Sequence, residues 1–86
     1  MQVLIPSALR SYTGGAPHVQ AQGATLGEVL DELERQFPGL RFRMVDEQAR
    51  LRPHMRVFVG GLAIHDLGHP LLPGQSVDIV QALSGG

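Results

Sequence analysis

The sequence predicts an α+β domain: a small mixed sheet of four to five strands with one main helix packed across one face. Three observations carry that expectation. A length of 86 residues allows one compact domain, and a chain of that size buries roughly 60 to 65% of its unfolded surface. A single strongly amphipathic helix signal occupies TLGEVLDELERQFPG, and short β-rich runs separated by glycine turns lie on both sides of it. A helix with one apolar stripe and a sheet with one apolar face bury each other, which gives two layers.

The opening MQVLIPSALRSY has the aliphatic density of a strand, with Val3 and Ile5 able to face one side. Thr13–Gly15 supplies a turn in which glycine tolerates positive φ, and HVQAQ (18–22) pairs back on the first run as a hairpin that Gly23 ends. In the helix signal, Thr25 and Glu28 form a capping box, each satisfying a backbone N–H that a helix start leaves unpaired. Leu26, Val29, Leu30, Leu33 and Phe37 recur at helical spacing as one apolar face, and Asp31, Glu32, Glu34 and Arg35 occupy the other. Burying each large apolar side chain stabilises by about 1.5 to 3 kcal/mol, so this face anchors the expected core. Pro38 and Gly39 stop the helix.

In LRFRMVDEQARLRPHM (40–55), Leu40, Phe42 and Met44 alternate as in a strand while Leu40, Met44 and Val45 suit a short helical turn, and the expectation is irregular chain containing a helical turn. In RVFVGGLAI, Gly60 and Gly61 form a two-residue loop of the kind that needs positive φ between two strands. Pro73–Gln75 makes another turn, and SVDIVQAL is the final strand. Its nearly continuous apolar run suggests a strand covered on both sides or one in the middle of the sheet. Residues 1–86 therefore read as one domain, with 83–86 as a flexible C-terminal tail.

Composition excludes several kinds of chemistry. A net charge of −1 provides no positive field to gather nucleic acid. No apolar run approaches the roughly 20 residues that span a bilayer, and no secretion signal opens the sequence, so the expected compartment is the cytoplasm, away from the membrane. There is no cysteine, which removes thiolate metal sites and cysteine nucleophiles, and no lysine, since all seven basic side chains are arginine.

The order of elements, the helix ATLGEVLDELE and the terminal VDIVQALSGG resemble the β-grasp (ubiquitin-like) sulfur carriers of the MoaD/ThiS type, across essentially the whole chain. The most specific element is a final strand running into a free Gly-Gly, here Ser84, Gly85 and Gly86. The opening VLIPSALRSYTGG leans toward carriers that feed sulfur to a cysteine synthase or to thiocarboxylated metabolites. Two departures separate the chain from molybdopterin synthase small subunits. Ile79 and Val80 stand where an aromatic pair commonly precedes the tail, and Gln81 and Ala82 replace prolines.

The resemblance implies a carrier and not a catalyst. A protein without cysteine holds sulfur only at its terminal carboxyl group, and an ionised carboxylate resists nucleophilic attack until it is activated. In the family, an E1-like adenylyltransferase uses ATP and Mg²⁺ to adenylylate the last glycine, and sulfur then displaces the adenylate. By that resemblance Gly86 is the activated residue. Leu83, Ser84 and Gly85 form the tether, reaching at most about 14 Å, with no side chain on the glycines to obstruct a narrow channel. No catalytic residue, metal or bound cofactor is implied on this chain. The implied partners are the adenylyltransferase, a sulfur-accepting synthase (cysteine-synthase-like or other) and, in some such systems, a metal-dependent peptidase.

Docking falls to the sheet face that the helix leaves open. Phe58 and Val80 are the apolar candidates, each with core packing as the competing reading. Two other classes stay open: a ubiquitin-like modifier joined through Gly86 to lysines of other proteins, and a non-covalent β-grasp adaptor that does not use the glycines.

Two further features have bland readings beside functional ones. Arg41, Arg43, Arg50, Arg52 and Arg56 fall within one 16-residue window, either as a patch for an acidic or phosphate-bearing partner or as a solvated loop. His65 and His69 bracket Asp66 in HDLGH, but Gly68 and Pro70 make this a loop without a full ligand set, so a loop is the expectation. Ser76 and Ser84 have no rigid oxyanion environment that would support a Ser-His-Asp reading.

Overall fold

A computed structural model describes residues 1–82. It contains five strands, β1 (Gln2–Leu4), β2 (His18–Gln20), β3 (Met55–Val59), β4 (Leu62–Ile64) and β5 (Val77–Gln81), and two helices, α1 (Leu26–Gln36) and α2 (Leu40–Met44). The sheet runs in the order β2-β1-β5-β3-β4. Only β1 and β5 pair in parallel, and every other neighbouring pair is antiparallel.

The first hairpin forms in the register Gln2↔Gln20, Val3↔Val19 and Leu4↔His18. The opening strand is shorter than its aliphatic density predicts. Pro6 offers no backbone donor to a ladder, and Ser7–Thr13 winds into a 3₁₀ turn that buries Leu9.

The helix starts as the capping box requires. Thr25 Oγ1 accepts from the Glu28 amide at 3.3 Å, and Glu28 Oε1 accepts from the Ala24 amide at 3.2 Å, one residue earlier than in the simplest form of the motif. Leu26, Val29, Leu30 and Leu33 are fully buried, and Phe37 packs against the same cluster from its edge. Across from them lie Val3, Met55, Val57, Val59, Val77 and Ile79, the inward residues of β1, β3 and β5.

Residues 40–55, expected as irregular chain with a helical turn, hold α2. Leu40, Met44 and Val45 are fully buried there. Glu34 fixes the reversal between the helices, with Oε2 accepting from the Gly39 amide and Oε1 from the Arg41 amide, both at 2.9 Å. Gly39 sits at φ 97°, a conformation that side chains disfavour, and so permits the reversal. The β3–β4 turn carries Gly60 at φ 58° and Gly61 at φ 83°, as a two-residue hairpin loop of the primed type demands.

HDLGH is a structural loop. Asp66 Oδ1 accepts from the Gly68 amide at 2.8 Å, while the Leu67 and His69 carbonyls accept from the Gly27 and Leu26 amides at 2.7 and 3.0 Å. The loop thereby satisfies donors that the start of α1 leaves free. No described helix is long and apolar enough to cross a membrane.

Candidate functional site

Two places follow from the position of β5: the point where the chain leaves the sheet, and the sheet face that α1 does not cover. β5 is the middle strand, held by two residue pairs to β1 and five to β3. Its residues alternate cleanly, Val77 and Ile79 buried beneath α1, Asp78 and Val80 on the other side. The middle position matches the expectation, and cover on both faces does not hold. The apolar run looked continuous because Val80 is an apolar residue on the outward face, 40% exposed.

β3 alternates in the same way, with Met55, Val57 and Val59 buried and Arg56 and Phe58 outward. Phe58 is therefore half-buried on the open face and is not a core residue. It pairs with Asp78 on one side and Ala63 on the other, and Val80 pairs with Arg56. Leu4 stands next to Asp78 on the opposite flank. The open face thus combines Leu4, Phe58 and Val80 with the opposite charges of Asp78 and Arg56. Sequence reasoning singled out Phe58 and Val80. The same period-two reading of VDIVQ and MRVFV would also have found Asp78 and Arg56.

The chain leaves β5 through Ala82, whose amide donates to the His54 carbonyl at 2.7 Å. Leu83, Ser84, Gly85 and Gly86 lie outside the described residues. Beside Ala82 is a cavity of about 310 Å³ lined by Leu9, Phe42, Arg43, Arg52, His54 and Gln81. Two residues of the arginine-rich window line it, and the other three face elsewhere. Arg41 lies 3.0 Å from the Asp31 carboxylate, out of line for a hydrogen bond. Arg50 donates to Gln48 Oε1, and Arg56 donates to the Met55 carbonyl at 3.0 Å.

The carboxylates with displaced pKa values serve the fold. The Gly39 and Arg41 amides hold Glu34 below its ordinary value, hydrogen bonds from Arg35 and Gln36 lower Glu32, and the Arg50 amide, followed by that of Gln48, lowers Asp46. None of the three lies on the open face. Among the described residues no group of three or more His, Asp or Glu is placed to hold a metal ion.

The ThiS family model matches residues 3–86, the sheet, the helices and the segment beyond Ala82 included. The chain belongs to the ThiS family. The sulfur carrier protein CysO of Mycobacterium tuberculosis is 36% identical over 94 residues, spanning 98% of this chain and 96% of that protein. A chain of the Amycolatopsis orientalis BexX/CysO complex superposes with a TM-score of 0.91 at 33% identity, covering 99% of this chain and 98% of its own. Small archaeal modifier protein 1 of Haloferax volcanii superposes with a TM-score of 0.79 at 28% identity, covering 100% and 98%. The five-stranded mixed sheet with its covering helix is accordingly the ubiquitin-like β-grasp, and this ThiS-family chain is a sulfur carrier.

Proposed function

We propose that the carrier group is the carboxyl of Gly86, converted from carboxylate to thiocarboxylate. In the first step a carboxylate oxygen attacks the α-phosphorus of Mg²⁺-bound ATP in an E1-like adenylyltransferase, and pyrophosphate leaves. In the second, hydrosulfide attacks the acyl carbon, AMP leaves, and loss of the S–H proton gives the thiocarboxylate. Leu83, Ser84 and Gly85 thread the enzyme's active site, and the enzyme performs the chemistry. ATP places this activation in the cytoplasm.

The observation that best supports the reading is the central β5, which delivers Ala82 from a strand held on both edges to the start of a cysteine-free Gly-Gly tail. Phe58 and Val80, with Leu4 beside them, supply the apolar part of the docking surface. The sulfur then passes to a synthase. The identity to CysO favours one of the cysteine-synthase type, with a metal-dependent peptidase to release the product.

Intact mass spectrometry of the chain, produced together with its neighbouring genes, tests this. One oxygen at Gly86 exchanged for sulfur is the expected result. A chain that never shows the exchange, while the activating enzyme is demonstrably active, contradicts the reading.

A second reading, conjugation through Gly86 to lysines of other proteins, is favoured by the likeness to small archaeal modifier protein 1. Branched peptides bearing the Gly86 carbonyl on target lysines would establish it.

A further inference from the structure

The cavity beside Ala82 has a charge pattern that the chemistry at Gly86 does not call on. Arg43, Arg52 and His54 are three of the six described residues that line it, and none of the six is Asp or Glu. Arg52 is set in place. Its Nε donates to the Phe42 carbonyl at 2.7 Å, and its guanidinium carbon lies 4.5 Å from the centroid of the Phe42 ring. That stacking leaves the remaining guanidinium donors oriented before any partner arrives.

Arg43 is exposed and makes no ion pair or side-chain hydrogen bond among the described residues. The acid nearest in sequence, Asp46, is engaged by the Gln48 and Arg50 amides at 2.9 and 3.1 Å. Two guanidinium groups with unused donors therefore border a recess walled by Leu9 and Phe42, a setting in which a carboxylate is gripped by paired N–H donors.

Location gives the recess its meaning. Gln81 lines it, and His54 holds Ala82 through its carbonyl. The opening borders the residues from which the chain leaves β5, so a protein that takes up the residues after Ala82 docks next to it. We propose that the cavity receives an Asp or Glu side chain of the enzyme that activates the tail, with Arg43 and Arg52 recognising the carboxylate. The inference rests on the reading that such an enzyme acts at Gly86. It adds a charged contact at the root of the tail, separate from the apolar contacts of the open sheet face.

The test uses the full chain and the adenylating enzyme of its own genome. Calorimetry gives Kd at low and high salt, and ATP–pyrophosphate exchange gives KM and kcat for the chain as substrate. Arg43→Glu is expected to raise Kd and KM about tenfold at low salt with kcat unchanged, because a charge at an interface rim acts on encounter and register. The difference narrows at high salt as screening removes it. Arg43→Lys retains the charge without the planar fork and is expected to lose only about threefold. If Arg43→Glu lowers the melting temperature, Arg43→Gln, which removes the charge alone, is expected to show the same split between KM and kcat.

Wild-type Kd and KM in the charge-removing variants would overturn the proposal and leave activation at Gly86 standing. The same holds if inorganic phosphate shifts the Arg43 and Arg52 side-chain resonances while those variants bind the enzyme normally, since the cavity would then be a small-anion site. Absence of exchange from the wild-type chain would overturn both readings.

Discussion

The Ala82 amide donates to the His54 carbonyl at 2.7 Å, which carries the β5–β3 pairing one step past Gln81. Replacing Ala82 with proline removes that donor. The expected cost is about 0.5 to 1.5 kcal/mol, the net worth of one backbone hydrogen bond, read from the denaturant midpoint. Amide exchange at Gln81 should accelerate while the centre of β5 stays protected.

Ile79 and Val80 are neighbours with opposite roles, and substitution separates them. Ile79 is 1% exposed beneath α1, so Ile79→Ala is expected to cost about 2 to 5 kcal/mol. Val80→Ala on the open face should cost under about 1 kcal/mol and instead raise KM in the activation assay. Equal losses of stability would place Val80 in the core.

Glu34 predicts an acid-side dependence of stability. Its carboxyl is held below the ordinary value by the Gly39 amide first and the Arg41 amide second. A group whose folded-state pKa is depressed stabilises above its unfolded pKa, and that contribution is lost as pH falls through the folded value. The melting temperature should therefore decline through the carboxylate range, and Glu34→Gln should flatten that part of the curve. At neutral pH the substitution is expected to cost about 1 kcal/mol, as loss of a capping carboxylate does.

Gly23 is required by space and not by its backbone angle. A Cβ there would stand 2.7 Å from the Val29 nitrogen and 2.9 Å from the Glu28 carbonyl carbon, both backbone atoms of α1. Gly23→Ala should force the β2–α1 connection away from the helix and destabilise by about 1 to 3 kcal/mol. A thermal melt that matches wild type would show that the connection yields freely.

Local patterns in the sequence carry α1, both hairpins and the final strand, because each is encoded by neighbours in the chain: Thr25 with Glu28, Gly60 with Gly61, Val77 with Ile79. The middle of the chain is less legible for a physical reason. Leu40, Phe42 and Met44 fit extended spacing and Leu40, Met44 and Val45 fit a helical turn over so short a span, and burial of the second set, with Phe42 left exposed, decides for α2. The open face was half legible. Phe58 and Val80 are apolar and draw attention, whereas Asp78 and Arg56, which period-two alternation puts on the same faces, become neighbours of that pair only when β3 and β5 are set side by side. The tail-root cavity was not legible at all, since Leu9, Phe42, His54 and Gln81 come from four separate parts of the chain. The arginine window divides into an ion pair at Arg41, a side-chain contact at Arg50, a backbone-bound side chain at Arg56 and two cavity residues only in three dimensions.

The central strand also has a mechanical consequence. A pull on the chain beyond Ala82 is met along β5 by ladders on both flanks, the parallel pairs with β1 and the antiparallel pairs with β3. Load applied along the strand is shared by these cross-strand bonds at once, where a strand at the sheet border would peel away bond by bond. On the reading proposed for Gly86, an enzyme that draws the end of the chain into a channel strains against a strand paired on both edges, which resists peeling from either side.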